Sequence, residues 1–383
     1  MTAEMLVYVG TYTEPIRFGT GRVLQGKGEG IYVFRLDQES GALEPVGKTT
    51  SVTNPSYLEF DATQRFLYAV NELKSYQDSP TGTVSAFAAH PTTGELTFLN
   101  RQPTHGTDPC HVVVDRRRRH VFVANFMSGS VCVLPVRDDG SLDAACDFIQ
   151  HLGAGIDPVR QNGPHAHSVT LDATNRYAFV PDLGLDKLLI YKFDAKRGML
   201  EPNGVPWIKM KPGAGPRHVA LHPGGRFAYL INELSSTVVA LACDRKTGVF
   251  QELQIVATLP EGFRGESTGA DIQISPSGRF IYASNRGHDS IAIYRINQRT
   301  GRLTYVDHAA TQGRTPRSFC LDPTGRFLLA ANQDSDMIVT FRIDARTGKL
   351  RPTGHVAHVP TPVCVKVRMP AMARSKGGHV WRQ

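Results

Sequence analysis

The chain has 383 residues, of which 41% are hydrophobic and 20% are charged, a balance typical of a globular domain. It contains no run of about 18 apolar residues, so a transmembrane helix is not expected, and its six cysteines form no Cys-x-x-Cys pair, which argues against a zinc site or a disulfide framework. The formal net charge of +8 is compatible with a nucleic-acid partner or with small anionic substrates.

The N-terminal segment begins with a predicted strand and a long connection. Residues 1–8 lack the basic and then apolar pattern of a secretory signal, so we expect a cytoplasmic protein. The strand from Leu6 to Gly10 is followed by a Gly-rich connection, 11–30, which lacks a Gly-x-x-x-x-Gly-Lys motif. We interpret this connection as a mobile rim loop. Similar polar excursions at 74–81, 153–164 and 259–269 predict that one edge of the fold carries the function.

A pair of strands recurs along the chain. In the copy at 215–234, an apolar run from Val219 to Leu221 is followed by turn residues and then by a second apolar run from Phe227 to Ile231. A third strand and an Asp-x-x-x-Gly-x-Leu turn follow, as in 344–350. The central residues of the second strands recur 47 to 60 residues apart, at Tyr8, Tyr68, Phe122, Phe179, Tyr229, Tyr282 and Leu329. Seven such copies predict an all-β fold, a seven-bladed β-propeller with four antiparallel strands per blade.

The two ends of the chain complement each other. The first copy begins at its second strand, and the segment from Thr361 to Val367 has the Pro-then-β shape of a first strand. We predict that Leu6 to Thr11 pairs with Pro362 to Val367, which closes the ring and removes an open sheet edge. Residues 1–369 then form a single propeller domain, and residues 370–383 form a C-terminal tail that is predicted to fray.

The densest basic run, from Arg116 to Arg119, falls between two predicted strands of one hairpin. No aromatic platform or recognition helix accompanies it, so we interpret it as a solvated turn and expect neither a nucleic-acid nor a membrane partner.

Polar residues should converge at one end of the central channel, because first strands begin and second strands end at the same sheet edge. The Asn that recurs at second-strand ends is interpreted as a cap on the following turn. His167, Arg217 and Arg286 differ from the equivalent residues of other copies, and Glu233 is shared only with Glu72, which favours a functional role. Further channel candidates from first strands are His111, His165 and Arg317.

These residues carry a resemblance. Gly215-Pro216-Arg217-His218, Asn232-Glu233-Leu234, His167-Ser168 and Ala283-Ser284-Asn285-Arg286 resemble motifs of the seven-bladed β-propeller lactonase family, which includes bacterial propeller-type 6-phosphogluconolactonases and fungal 3-carboxy-cis,cis-muconate lactonizing enzymes. The resemblance covers essentially the whole chain. It implies catalytic roles for His167, Arg217, Glu233 and Arg286. It also implies hydrolysis of a small anionic sugar lactone, first of all 6-phosphogluconolactone, in the pentose phosphate pathway.

Lactone hydrolysis needs a base for water, a cation for the oxyanion and departure of the ring oxygen. Either His167 or Glu233 can supply the base, and Arg217 can act on the oxyanion or pair with Glu233. Arg286, with Arg317 as a helper, suits a phosphate or carboxylate of the substrate. We expect His111 and His165 to bind substrate too. No Gly-x-Ser-x-Gly motif is present, so direct attack by water without a cofactor is favoured.

Three alternatives remain open at this point. A muconate-type cycloisomerase needs the same groups. A metal-dependent lactonase would use Glu72, Asp182 and Asn125, but two arginines beside the metal would oppose it, so we expect no metal. A non-enzymatic interaction scaffold would display apolar residues at its rim. The expected partner is a small anionic lactone, and the expected state is a monomer or a weak homo-oligomer.

Overall fold

The computed structural model describes residues 4–369. The predicted frayed tail at 370–383 lies outside the described residues.

Seven four-stranded antiparallel sheets follow one another around a ring, which confirms the predicted seven-bladed propeller. The only helical element among residues 4–369 is a 3-10 turn at Gln333–Ser335. We number the blades 1 to 7 in the order of their second strands. The strands of the first three blades, with a two-stranded hairpin, are β1 (Met5–Thr11), β2 (Ile16–Arg17), β3 (Val23–Leu24), β4 (Ile31–Leu36), β5 (Leu43–Thr49), β6 (Pro55–Phe60), β7 (Phe66–Asn71), β8 (Thr83–Ala89), β9 (Leu96–Pro103), β10 (Pro109–Val114), β11 (His120–Asn125), β12 (Ser130–Pro135) and β13 (Asp147–Gln150).

The strands of the remaining blades and the closing strand are β14 (Thr170–Leu171), β15 (Tyr177–Asp182), β16 (Lys187–Asp194), β17 (Met199–Lys209), β18 (Pro216–Leu221), β19 (Phe227–Asn232), β20 (Thr237–Asp244), β21 (Val249–Ala257), β22 (Thr268–Ile274), β23 (Phe280–Arg286), β24 (Ser290–Ile296), β25 (Leu303–Ala310), β26 (Pro316–Leu321), β27 (Phe327–Asn332), β28 (Met337–Ile343), β29 (Leu350–His358) and β30 (Pro362–Arg368). Each of blades 2 to 7 uses four consecutive strands, from β6–β9 to β26–β29, whereas blade 1 has the order β30-β1-β4-β5.

Blade 1 joins the two ends of the chain. Strand β1 pairs with β30 in an antiparallel register that runs from Leu6 opposite Arg368 to Thr11 opposite Pro362. The predicted ring closure is therefore confirmed, and the innermost strand of blade 1 is supplied by the C-terminal part of the chain.

The core lies between consecutive sheets. The seven central residues of the second strands are each at most 1% exposed, because each sheet is covered on both faces by its neighbours. Four of them are tyrosines whose hydroxyls donate to glycine carbonyls in the outer turn of the next blade. These bonds run from Tyr8 to Gly94 (2.9 Å), from Tyr68 to Gly140 (3.0 Å), from Tyr229 to Gly301 (2.9 Å) and from Tyr282 to Gly348 (2.9 Å).

The glycine of the Asp-x-x-x-Gly-x-Leu turn provides the carbonyl that accepts this hydrogen bond, and it packs closely against the preceding blade. Gly348 has a φ of +81°, which disfavours residues with a Cβ, and an added Cβ would lie 2.4 Å from Cδ1 of Phe280. The recurring turn motif is therefore a packing requirement between neighbouring blades.

The recurring Asn at second-strand ends is structural as well. Asn71, Asn125, Asn285 and Asn332 each donate from Nδ2 to a threonine carbonyl in the segment that precedes their blade, at 2.7 to 3.2 Å. They thereby fasten each blade to the chain that enters it.

Several composition-based expectations can be compared with the structure. Arg116 to Arg119 are all exposed in the turn between β10 and β11, as predicted for a solvated turn. The six cysteines are free. Among the helices of residues 4–369, none is long and apolar enough to cross a membrane.

Candidate active site

A cavity of about 450 Å³ opens at the end of the channel where first strands begin and second strands end. It draws side chains from six elements around the ring, and its ionisable lining residues are Arg17, Arg22, Glu72, Asp108, Cys110, Arg160, His167, Glu233, Glu266, Arg286 and Arg317. A larger open groove of about 800 Å³ lies on the outer strands of blades 4 and 5, away from the channel. The channel-mouth cavity is the candidate site because buried charges converge there.

Glu233 is the centre of this charge cluster. It directly follows β19 and is 4% exposed. Its Oε1 lies 2.5 Å from Nη2 of Arg160, while its Oε2 lies 2.8 Å from Nη2 of Arg286 and accepts from Nε of Arg217 at 3.1 Å. Burial by itself raises the pKa of Glu233, but the three guanidinium groups outweigh it and hold that pKa well below its usual range. Glu233 is therefore an anion at neutral pH.

Arg217 lies beneath Glu233 and does not line the cavity. It comes from β18 and is 3% exposed. Its Nη1 donates to the carbonyl of Ala270 at 2.5 Å and lies 3.2 Å from Nε2 of His218. Burial lowers the pKa of Arg217, an effect that Glu233 opposes. The structure thus brings Arg217 and Glu233 together across the hairpin and gives Arg217 the geometry of a support for the carboxylate.

His167 faces Glu233 from blade 4. Its backbone N–H donates to the carbonyl of Pro181 at 3.0 Å, which fixes the residue beside β15. Its Nε2 lies 3.7 Å from Oε2 of Glu233, beyond hydrogen-bond distance. Burial and Arg217 hold the pKa of His167 well below its usual range, although Glu233 raises it. The imidazole is consequently neutral at pH 7 and carries a lone pair that can accept a proton.

Arg286 completes the group at the end of β23. Besides Glu233, its Nη2 has the carbonyl of Gly269 as a partner at 3.0 Å. Its Nε is buried and has no hydrogen-bond partner within residues 4–369. Burial lowers the pKa of Arg286 to about 10, so the group stays cationic at neutral pH. The structure therefore brings His167, Arg217, Glu233 and Arg286 into one cluster, three of them on the cavity wall.

Arg317 lines the cavity from blade 7. Its guanidinium lies between two aromatic rings, 5.6 Å from the ring centroid of Tyr12 and 5.4 Å from that of Phe18. No described residue gives this guanidinium a hydrogen bond or an ion pair. The neighbouring Glu72 accepts from the hydroxyl of Tyr12 at 3.0 Å, and burial raises the pKa of Glu72.

His111 and His165 lie off the cavity. The ring of His111 packs on Tyr57, with centroids 4.2 Å apart, deeper in the channel, and lines a separate recess of about 260 Å³. His165 stacks on Phe126 at 4.7 Å and donates from Nδ1 to the carbonyl of that residue at 2.9 Å. Neither side chain lines the cavity. Their role in substrate binding stays a prediction.

Two of the side chains considered for a metal site, Asp182 and Asn125, are engaged by neighbouring residues. Asp182 accepts from Nδ1 of His151 at 2.6 Å and from the backbone N–H of His165 at 2.7 Å. Asn125 donates to Thr104 and lies 3.1 Å from the hydroxyl of Ser130. The described part of the chain contains no group of three or more His, Cys, Asp or Glu residues arranged to hold a metal ion. Metal independence stays a prediction.

Two parts of the site were missed by the sequence reasoning. Arg160 contacts Glu233 from the connection 153–164. The sequence predicts that this connection lies at the functional edge, but it does not indicate Arg160. The connection 11–30 contains the hairpin β2–β3, whose Arg17 and Phe18 line the cavity. This hairpin is held by Ile16, which is 4% exposed and packs with Tyr12. The residue pattern of a two-residue strand is too short to be recognised from periodicity.

Comparison with known proteins places this geometry among enzymes that act on lactones. Residues 6–367 match the family model described as lactonase, 7-bladed beta-propeller. The chain is 40% identical over 315 residues to a 6-phosphogluconolactonase of Bacillus subtilis, with 82% of this chain and 84% of that protein covered. It is 35% identical over 323 residues to a 6-phosphogluconolactonase of Formosa agariphila, with 82% and 86% covered. Among solved structures, a periplasmic gluconolactonase of Pseudomonas aeruginosa superposes with a TM-score of 0.88 at 32% identity, covering 97% of this chain and 100% of that one.

Proposed function

The chain belongs to the seven-bladed β-propeller lactonase family, and from this premise we propose that it hydrolyses 6-phosphogluconolactone to 6-phosphogluconate. One observation carries the proposal. A neutral His167 lies 3.7 Å from the anionic Glu233, and Arg286 joins both on the wall of one cavity. These are a base, a charge that stabilises the protonated base, and a cation for an oxyanion.

His167 is the better base of the two candidates. Glu233 is stabilised as an anion by three arginines, so its carboxylate has little tendency to take a proton. The Nε2 of His167 removes a proton from water as the water oxygen bonds to the lactone carbonyl carbon. The resulting imidazolium is stabilised by the charge of Glu233, whose Oε2 lies 3.7 Å from the same Nε2.

Arg286 is suited to the developing oxyanion. The carbonyl oxygen gains negative charge as water adds, and the guanidinium at this edge of the cavity is fixed by Glu233 and by the carbonyl of Gly269. When the tetrahedral intermediate collapses, the bond between the carbonyl carbon and the ring oxygen breaks. The imidazolium of His167 returns its proton to that oxygen, which becomes the hydroxyl of the open-chain acid. Arg217 acts as a positioning residue, since it holds Glu233 from below.

The charge of the cavity supports an anionic lactone. Five arginines and four acids line it, and three of the acids, Glu72, Asp108 and Glu233, each have a hydrogen-bond or ion-pair partner. A phosphorylated sugar lactone fits this excess of positive charge. A place in the pentose phosphate pathway and a cytoplasmic location follow from that substrate as part of the proposal.

The test is a substrate screen with purified protein. 6-Phosphogluconolactone, glucono-δ-lactone and 3-carboxymuconate are compared, and acid release is followed above the spontaneous rate. We expect turnover of the phosphorylated lactone, and about a 10²–10⁴-fold lower kcat in His167→Ala. The exposed His355→Ala variant is the control for losing a histidine. Lactonization of carboxymuconate without lactone hydrolysis would favour the cycloisomerase, and no turnover of any compound would favour the scaffold.

A further inference from the structure

Two arginines in the cavity are left unpaired. The guanidinium groups of Arg160 and Arg286 are bonded to Glu233, and that of Arg22 lies 3.0 Å from Asp334. Within residues 4–369, neither Arg17 nor Arg317 has a side-chain hydrogen bond or an ion pair, although both line the cavity.

These unpaired cations enter the cavity from other parts of the ring than His167 and Glu233 do. His167 belongs to blade 4, whereas Arg317 begins blade 7 and Arg17 belongs to the hairpin that leaves blade 1. The cavity therefore has a reacting side around Glu233 and a cationic side between blades 7 and 1.

The hairpin that carries Arg17 is built into this side. Phe18 covers Arg317 and also packs edge-on against Tyr12, with ring centroids 6.1 Å apart. The connection is tied to blade 7 through the ion pair of Lys27 with Asp336, at 2.6 Å. An arginine between two rings keeps the plane and the donors of its guanidinium fixed, which suits the oxygens of a phosphate.

The acids near Arg317 do not cancel its charge completely. Glu72 shares its carboxylate with the hydroxyl of Tyr12, and Asp108 is paired with Lys74 at 3.0 Å. A dianionic group that enters this side of the cavity therefore meets two cations that have no hydrogen-bond or ion-pair partner for their guanidinium groups in the described part of the chain.

We propose that Arg317 and Arg17 bind the phosphate of the lactone, and that the hairpin β2–β3 determines the preference for a phosphorylated substrate. This inference rests on the proposed function, because it divides the same cavity into a carbonyl end and a phosphate end. In 6-phosphogluconolactone the carbonyl carbon C1 and the C6 atom that carries the phosphate are separated by the ring oxygen and C5, so the carbonyl and the phosphate must be contacted by different groups of the cavity. Arg286 is then free to serve the carbonyl oxygen, in contrast to the sequence-based expectation that it holds the substrate's anionic group.

The experiment measures the ratio of kcat/KM for 6-phosphogluconolactone to kcat/KM for glucono-δ-lactone. Arg317→Gln should lower this ratio by about 30-fold or more, chiefly through KM, because a charged hydrogen bond to a desolvated anion is lost. Arg17→Ala should lower it by about threefold to tenfold, since Arg17 is exposed and its charge is screened. Arg117→Ala is the matched control, as it removes an exposed arginine that does not line the cavity.

Binding of the product 6-phosphogluconate, measured by calorimetry, separates this inference from the proposed function. If the parent protein hydrolyses neither lactone but binds 6-phosphogluconate, and Arg317→Gln abolishes that binding, the phosphate site stands and the proposed reaction does not. If both lactones are hydrolysed and Arg317→Gln slows them equally, or if the ratio is unchanged, the phosphate site is overturned and the lactonase stands. Arg317→Lys retains the charge and should therefore recover part of the ratio that Arg317→Gln loses. If Arg317→Gln lowered the ratio only by impairing folding, restoring the charge would not be expected to recover it.

Discussion

The role of Glu233 can be tested by removing its charge and keeping its shape. In Glu233→Gln the anion beside His167 disappears, while the arginines around it remain. Oε2 of Glu233 lies 3.7 Å from Nε2 of His167. Two unit charges at about this separation interact by about 4 kcal/mol at an effective dielectric constant of about 20. This is the stabilisation that the carboxylate offers to a fully formed imidazolium.

The magnitude converts directly into a rate. Because each 1.36 kcal/mol changes a rate about tenfold, kcat should fall by up to about 10³-fold if proton transfer to His167 is complete in the transition state, and by about 30-fold if it is half complete. The unbalanced arginines act in the same direction, since positive charge near His167 opposes its protonation. Removing one partner of buried ion pairs also costs about 3–5 kcal/mol of folding stability, so Tm should fall as well.

The assay compares kcat for lactone hydrolysis at temperatures where circular dichroism shows each variant to be folded. Glu233→Asp keeps the charge and should retain more activity than Glu233→Gln. Glu261→Gln, in the exposed part of the connection 259–269, controls for the change in net charge. A kcat within about threefold of the parent for folded Glu233→Gln would refute electrostatic support of His167. It would also refute the role of Glu233 as the base.

Three further predictions address pH, metal and packing. Because the pKa of His167 is lowered, the neutral base persists into acid, so kcat/KM should stay constant from neutral pH down through 6.5 and decline only below it; a decline that begins above pH 6.5 would contradict this. Turnover should survive exhaustive treatment with a chelator, and activity that is lost and then restored by calcium or magnesium would favour the metal-dependent mechanism. Gly348→Ala should lower the free energy of unfolding by about 2–3 kcal/mol, measured by denaturant titration, because backbone strain and a clash with Phe280 add together. Gly354→Ala, with a φ of +85° and nothing within 4 Å of the added Cβ, should lose only the strain contribution, and equal losses in the two variants would rule out the clash.

The fold was largely predictable because every blade repeats the same physical requirement. A sheet that is covered on both faces needs a large apolar residue at the centre of its second strand, and that residue recurs through the sequence. The pairing of the two chain ends was predictable because the first copy of the repeat lacks a first strand and the C-terminal segment supplies one. Metal independence and the oligomeric state have no comparable signature in the repeat.

The site was predictable only where strand register determines it. Pro216 pairs with Asn232, and Ala166 forms the equivalent bridge with Asp182, so the residue after each faces the cluster: Arg217 in one blade and His167 in the other. His165 follows a proline in the sequence, but it precedes that bridge, so it is not the counterpart of Arg217 in strand register.

His111 shows the same dependence on register. It lies one residue beyond Cys110, and because side chains alternate along a strand, Cys110 lines the cavity while His111 is directed elsewhere. Arg17 and Arg160 lie in connections without a repeat, where no register relates one blade to another.

Joining β1 to β30 has a consequence for how the molecule can come apart. An open array of repeats can lose its terminal units one at a time, whereas a closed ring has no terminal unit. Since Leu6 lies opposite Arg368, a short linker could connect the two ends, and new termini could be made in another connection between blades. Such circular permutants would move the junction between the N-terminal and C-terminal strands from blade 1 to a chosen blade. Hydrogen exchange on them would then show whether separation of these two strands limits the unfolding of all seven blades.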